Sequence, residues 1–492
     1  MTAKAVRIDI EDNVATLLAD VAAGETVVAA GAALVAAVAI PRGHKIALKS
    51  VAPGEAVIKY GYPIGHAIAA IAAGEHVHSG NLATSLGGQQ AYAYTPAPRA
   101  NLAPGDATFR GYRRADGRVG TRNEIWVLPT VGCVARTAER IAAQAGAALT
   151  GKVDGVHAFA HPFGCSQLGE DLEGTRAILA SLACHPNAGG VLILGLGCEN
   201  NQIAALIETI PDWRRPAIRT LATQLAGDEV AEGVVLVEEL AAHAQCERSE
   251  AALADLVLGV KCGGSDGLSG LTANPLVGRL SDRVAASGGR VLVTEIPEIF
   301  GAEQMLMNRA ADEAVFGEIV GVVNGFKRYF LDHGEPVSEN PSPGNIAGGI
   351  TTLEEKSLGA VQKAGRAPVT DVIHYGERVA ADGLTLLEAP GNDAVSSTAL
   401  AAAGATAILF TTGRGTPLGF PVPTIKISSN SDLATRKPGW VDFDAGMVLD
   451  QGFEAMEAAL IDRLCAIASG EPTAAERNGE REIAIWKRGV TL

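Results

Sequence analysis

The chain has 492 residues, 47% of them hydrophobic, and a formal charge of −15, so it can bury the cores of about two to four domains. That balance excludes a nucleic-acid partner, which needs a basic face, yet leaves room for a small anion held by a few local arginines and lysines. The longest apolar run, Val27 to Ile40, is too short to span a bilayer. Met1 to Asp12 lacks a basic-then-apolar leader layout, and seven cysteines without one point to a reducing compartment, so a soluble cytoplasmic protein with no membrane partner is expected.

Residues 1–95 read as a small β-rich unit. Ala5 to Ile10 alternates as a half-buried strand does, and short strand-like pieces then alternate with turns at Pro53-Gly54-Glu55, Tyr62-Pro63-Ile64-Gly65 and Ala73-Gly74-Glu75. The two Gly-Glu turns hint at a local repeat. Gly43-His44-Lys45 and His76-Val77-His78 stand out, because His-x-His on a strand sets both imidazoles on one face, a geometry suited to a metal or an acid/base pair. The plainer alternative is surface histidines on loops. Residues 96–108, with Pro96, Pro98 and Pro104, read as a linker.

Residues 109–248 change to an α/β pattern. Strand Ile125 to Val131 precedes an amphipathic helix from about Ala135 to Ala148, strand Val191 to Leu194 precedes a helix near Ile203 to Thr209, and a surface helix lies within Leu225 to Gln245. The run Arg113 to Asn123 gathers Arg113, Arg114, Arg118 and Arg122 before a buried strand. Arginine forks match carboxylates bidentately, which makes Arg118, Arg122 and Asn123 candidate substrate contacts against the alternative of a solvated basic loop. A second boundary falls near Cys246 to Ala254.

Residues 249–492 read as a larger α/β domain. Its strands include Leu256 to Val260, Arg290 to Thr294, Ala407 to Phe410 and Thr424 to Ile427, with helices near Ala302 to Arg309, Glu313 to Phe326 and Gln451 to Ala468. The fold class is therefore multidomain α/β: a small β-rich N-terminal domain followed by two α/β domains.

Four cysteines carry a glycine beside them, most where a strand runs into a loop: Cys133, Cys165, Cys198 in Gly-Leu-Gly-Cys-Glu-Asn-Asn-Gln, and Cys262 in Lys-Cys-Gly-Gly-Ser-Asp-Gly-Leu-Ser-Gly. Strand ends with glycine-rich turns present reactive groups at a sheet edge, so one shared, metal-assisted centre is expected, against four core cysteines as the alternative. Cys184, Cys246 and Cys465 lack that setting and read as structural. Glu295, Glu298 and Glu303 offer an acid/base or a hard-cation ligand, or else an exposed turn entering a helix. Asn340 to Asn345 and Gly348 to Ser357 form a long loop of special residues, usually a functional feature. Thr411 to Pro417 reads as an anion-binding turn in which backbone N–H groups and Arg414 converge, or as an ordinary glycine-rich turn. No phosphate-binding Walker loop occurs, and no GxGxxG follows a strand.

These blocks, in this order and over almost the whole chain, resemble the sugar-acid dehydratase family of altronate and galactarate dehydratases. Further matches are Asp12-Asn13-Val14-Ala15, Thr272-Ala273-Asn274-Pro275 and the tail Trp486 to Leu492, while Pro129 to Cys133 and Asp371 to Arg378 lean to the altronate branch. One departure is Gly80 before Asn81, where the family often carries a further histidine. The resemblance implies an N-terminal β-clip (SAF-like) domain and an iron-dependent hydro-lyase that converts D-altronate to 2-keto-3-deoxy-D-gluconate and water in hexuronate catabolism. Galactarate dehydration is the first alternative, and a non-catalytic sugar-acid sensor is the second.

Such an elimination needs a base for the C2 proton and a Lewis or general acid for the departing C3 hydroxyl. His44, His78, Lys261 and Lys356 are the candidate acid/base groups. Thiolates on Cys133, Cys165, Cys198 and Cys262 can hold ferrous iron or an iron–sulfur cluster, or His44 and His78 can take the metal instead. Arg118, Arg122 and Arg414 are candidate clamps for the carboxylate, with Asn123, Ser265, Asp266 and Asn345 as further substrate contacts. The partner is a small sugar acid, and a homo-oligomer is compatible with the sequence.

Overall fold

In the computed structural model, which describes residues 3–491, residues 3–85 form two small sheets. One has six short strands and the other three. Their turns recur: Gly24, Gly54 and Gly74 sit at φ of 82°, 85° and 86°, conformations glycine adopts without strain. In each turn the next residue's carboxylate (Glu25, Glu55, Glu75) accepts the N–H of the alanine three positions before it. The repeat therefore has a third copy beyond the two turns read from the sequence. Leu17, Val21, Val27, Ile40 and Ile46 give this unit a core of its own. Val51, Val57, Ile64 and Val77, by contrast, merge with the core of the C-terminal domain.

Residues 84–107 contain no helix or strand, and they are strapped down. The Tyr94 hydroxyl donates to the Ala310 carbonyl at 2.9 Å, and the Asn324 side chain donates to the Gln90 carbonyl at 3.0 Å. The strand Thr108–Arg113 then pairs antiparallel with Ser249–Ala252. Chain entry into and exit from the middle domain thus run side by side.

The middle domain is a four-stranded parallel sheet of β1 (Glu124–Pro129), β2 (Gly155–Ala158), β3 (Ala188–Gly195) and β4 (Ile218–Ala222), in the order β2-β1-β3-β4. The helix Ala135–Ala148 covers it with Ala138, Ile141, Ala142 and Ala145, the spacing of one buried helical stripe. The C-terminal domain is a seven-stranded parallel sheet of β5 (Val257–Cys262), β6 (Arg290–Val293), β7 (Val369–Ile373), β8 (Gly383–Leu387), β9 (Ala407–Thr412), β10 (Thr424–Ser428) and β11 (Phe443–Asp444). Its order is β7-β8-β6-β5-β9-β10-β11.

Each sheet builds outward in both directions from a central pair, β1 with β3 and β5 with β9. The crevice outside the carboxyl ends of such a pair is where open α/β sheets bind ligands. At their amino ends the two sheets meet: the Thr121 hydroxyl donates to the Thr406 carbonyl at 2.7 Å, and His185 Nε2 bonds the Ala405 carbonyl at 3.0 Å. No helix among the described residues is long and apolar enough to cross a membrane.

Candidate active site

The crevice at the β5–β9 pair begins with Cys262, the last residue of β5. Its side chain is buried, its N–H donates to Glu295 Oε2 at 3.0 Å, and its sulfur lies 2.6 Å from the Ser265 hydroxyl. Asp266 organises the glycine-rich turn that follows by accepting from the Ser269 and Ser429 hydroxyls at 2.8 Å and from the Asn430 amide at 2.9 Å. Asn345 Nδ2 donates to the Ser265 carbonyl at 2.9 Å. The turn after β9 is not an open anion nest. The N–H groups of Gly413 and Arg414 both donate to the Gly264 carbonyl, at 2.8 and 3.0 Å, and Gly415 N–H donates to Thr412 Oγ1 at 2.9 Å. Those donors lock two loops together, and the Arg414 side chain is left exposed.

Behind these loops lies a network of buried ion pairs. Glu295 receives Lys261 at 2.9 Å and Lys363 at 2.7 Å, and Lys261 also pairs with Asp393. Glu295 holds a left-handed backbone at φ 67°, strain that a non-glycine residue carries only where surrounding contacts impose it. Lys356 donates to Glu298 at 2.9 Å and to Asn340 at 3.1 Å, and Lys327 pairs with Glu303 at 2.6 Å. All three carboxylates of this segment are therefore buried and paired, which removes the exposed-turn reading. Burial favours neutral lysine, but the facing carboxylates outweigh it and raise both Lys261 and Lys356. Both stay ammonium ions and act as charges rather than proton acceptors. Glu298 goes the other way. Burial pushes it above the usual carboxylate range, and its Oε2 is buried without a partner.

The N-terminal unit roofs this centre. Lys45 and Lys59, both buried, each reach Glu355 at 2.8 Å from opposite oxygens. Lys45 also donates to the Gly349 carbonyl at 2.8 Å. Thr84 and Ser85 donate to Glu354, and Arg42 pairs with Asp432. Glu355 is held at about 2, because the two ammoniums overcome a burial that by itself would raise it. In the sequence Gly43-His44-Lys45 stands out for its histidine, whereas the buried lysine beside it makes the contact to the C-terminal domain. The backbone approach is close as well. A Cβ added at Gly267 would meet the Gly43 carbonyl, so Gly267→Ala should destabilise the docked unit by about 1–3 kcal/mol, measurable by thermal unfolding.

His44, His76 and His78 line the same roof. His44 Nδ1 is 3.0 Å from His76 Nε2, His44 Nε2 is 3.4 Å from the Ala347 carbonyl, and the His76 and His78 ring centres are 4.8 Å apart. Burial lowers His44 and takes His76 down to about 4, helped by its histidine neighbours. These two imidazoles are neutral at pH 7, with lone pairs to offer. Among the described residues no three His, Cys, Asp or Glu side chains already close around a single ion, and His44 and His76 bond each other instead.

The four glycine-flanked cysteines separate into two places. Cys262 belongs to the C-terminal crevice. Cys133, Cys165 and Cys198 sit at the carboxyl edge of the middle sheet, all exposed and unpaired. Their loops are tied together: Gly132 N–H donates to the Phe163 carbonyl at 2.8 Å, and Asn201 N–H to the Gly164 carbonyl at 3.0 Å. Thr130 Oγ1 donates to Glu199 at 2.7 Å, and Ser166 N–H to Asn200 at 2.9 Å. The expectation of one shared thiol centre is thereby corrected, because two sheets contribute two separate edges. The arginine run is also placed elsewhere. Arg122 forks onto Glu476 through two bonds of 2.9 Å. Asn123 bonds the Ala244 carbonyl and Arg114, and Arg118 pairs with Asp116 at the amino end of the fold. None of the three faces the Cys262 crevice.

Comparison with known proteins covers the same three parts. Residues 3–85 match the altronate/galactarate dehydratase SAF domain, residues 111–245 the second domain of D-galactarate dehydratase/altronate hydrolase, and residues 253–491 the C-terminal domain of D-galactarate/altronate dehydratase. The altronate dehydratases of Bacillus subtilis (strain 168) and Escherichia coli (strain K12) are each 49% identical over 99% of both chains. The galactarate dehydratase (L-threo-forming) of Escherichia coli (strain K12) is 32% identical over 88% of this chain and 86% of its own.

Proposed function

The chain belongs to the altronate/galactarate dehydratase family, and on that premise we propose that it eliminates water from D-altronate to give 2-dehydro-3-deoxy-D-gluconate. The observation that carries the substrate is the 49% identity to two altronate dehydratases across 99% of each chain, against 32% to the galactarate enzyme. Its place of work is proposed as hexuronate catabolism in the cytoplasm, in keeping with seven free thiols.

Glu298 fits the role of proton acceptor at C2. It is buried, its affinity for a proton is raised, and one oxygen is unengaged. Lys356 and Lys261 supply fixed positive charge in a water-poor site, where it stabilises the negative charge that develops on the substrate carboxylate as the C2–H bond breaks. The proton passes to Glu298, the C3–O bond breaks, and the departing hydroxide takes that proton from the Glu298 carboxyl and leaves as water. The enol so formed gives up its C2 hydroxyl proton to water, takes one at C3 and becomes the keto acid. Lys261 and Lys356, first considered as bases, serve here as electrostatic groups.

Iron is the proposed cofactor. The donor chemistry of His44, His76 and His78 fits a ferrous ion, since metal binding requires neutral imidazole and the first two rings are held neutral. Iron bound there supplies Lewis acidity for the departing hydroxyl. A second reading rests on the three tied loops of the middle domain. The exposed thiols of Cys133, Cys165 and Cys198 suit an iron–sulfur cluster, which spreads its ligands over several corners rather than one ion. Metal analysis of anaerobically purified protein separates the two: His76→Ala should lose its iron while Cys165→Ser keeps it, and the reverse result moves the metal to the thiols.

Turnover decides the substrate. With ferrous iron and a reductant under anaerobic conditions, release of a 2-keto-3-deoxy acid from altronate is expected. Product from galactarate alone would overturn the altronate assignment, and tight binding without turnover would make the protein a sensor.

A further inference from the structure

At the opposite end from the dehydration centre, the amino ends of the two α/β sheets enclose a cleft of about 350 Å³. That is within the range of small-molecule sites. Its floor is the start of β5 and β6, at Val257 and Arg290, and its far wall comes from the middle domain at Arg118, Cys184 and His185. Three guanidinium groups face it. Arg118 is engaged by Asp116 at 2.6 Å and by the Cys184 carbonyl at 2.8 Å. Arg290 pairs with Asp382 at 2.9 Å, but its Nε is buried without a partner. Arg378 makes no ion pair among the described residues, and its charge bears on the Cys184 thiol, offsetting part of the burial that raises it. The two carboxylates of the lining are already neutralised, Asp116 by Arg118 and Asp255 by Arg113 at 3.3 Å. Positive charge is therefore left over in a chain whose net charge is −15. Within this ring His185 is not a further cation. Its Nε2 is committed to the Ala405 carbonyl and its Nδ1 accepts the Asn187 N–H.

We infer that this cleft is a binding site for a small organic anion, carboxylate or phosphate, held between the middle and C-terminal domains by Arg378, Arg290 and Arg118. The reasoning is chemical. An uncompensated arginine fork, flanked by two further guanidinium groups, calls for an oxyanion, which it can engage bidentately. Because its walls come from two domains, an occupant bridges them and should raise the unfolding temperature by mass action. The arginine-rich run before the first parallel strand thereby gains a role that the dehydration centre does not give it.

The test uses full-length protein and two probes, D-gluconate and inorganic phosphate, followed by titration calorimetry and thermal unfolding. Lys356→Met serves as the background that removes binding at the dehydration centre. Saturable binding of at least one probe is expected in that background. Arg378→Ala should weaken it about tenfold or more, the cost of one charge-assisted hydrogen bond. Gluconate binding without phosphate assigns the site to carboxylates, and the reverse assigns it to phosphates. Arg378→Lys, which keeps the charge and loses the fork, should weaken binding less and serves if the alanine variant is unstable. The inference is overturned if neither probe saturates the Lys356→Met protein, or if both Arg378 variants bind as it does.

Discussion

Glu298→Gln should lower kcat for altronate by about 10²- to 10⁴-fold, the range that one positioned proton-transfer group supplies. The sign of the pH effect follows from burial. Glu298 must be ionised to accept the C2 proton, and burial raises it above the ordinary 4.5. The parent should therefore lose kcat on the acid side at a pH above that value and regain it as pH rises. The glutamine variant should show a small residual rate without that limb. Part of any loss comes from leaving the Lys356 ammonium buried opposite an amide, so a control is needed. Glu303→Gln breaks a pair of the same kind, with Lys327 at 2.6 Å, and should cost stability while keeping the acid limb. A Glu298→Gln enzyme that retains kcat within about tenfold of the parent, less than such a group supplies, would remove Glu298 from the reaction and return the search to Cys262 or the histidines.

How much of this was legible in the sequence depends on where each residue's partners lie. The helix Ala135–Ala148 announced itself, since its buried positions recur at one helical face, and so did Glu313–Asp332 with Ile319, Val322, Val323 and Phe326. The helix Asp393–Ala402 left no such trace. Its last seven residues are all buried, so Ser, Thr and Ala face the core on every side and no period forms. The cysteine-glycine pairs marked strand ends correctly, because strand-to-loop chemistry is local. Which strand ends share a crevice is a matter of sheet order, and local sequence does not carry it. The same limit misled the reading of Arg122, whose fork closes on Glu476, 354 residues away. Likewise the turn after β9 looked like a free anion cradle until its N–H groups met the Gly264 carbonyl. Glu355 was passed over for a related reason. Its two lysine partners sit in the N-terminal unit, and nothing in Leu353–Ala360 alone distinguishes a docking carboxylate from a helix-surface one.

Glu355→Ala should cost about 3–5 kcal/mol, the penalty for removing one member of a buried ionic cluster and stranding the rest. Here two ammoniums, Lys45 and Lys59, would be left uncompensated at 0% and 2% side-chain exposure. The cost should fall on the docking of the N-terminal unit, read as faster hydrogen exchange across Lys45–Ala47, before the C-terminal sheet responds. Acid should imitate the mutation. Glu355 is depressed to about 2 from 4.5, so its contribution is complete above 4.5 and fades as pH falls through that window, as for any carboxylate whose native form is ionised and paired. The variant should lack that share of the acid sensitivity. Replacing all three partners with methionine, by contrast, should come close to neutral in stability, since apolar groups of similar volume often substitute for buried ion clusters. Activity should fall even so, because Lys45 would no longer anchor the strand next to His44 to the Gly349 carbonyl. A Glu355→Ala protein with parental exchange at Lys45–Ala47 would mean that apolar packing, through Val57, Ile64 and Val77, holds the roof without the ionic cluster.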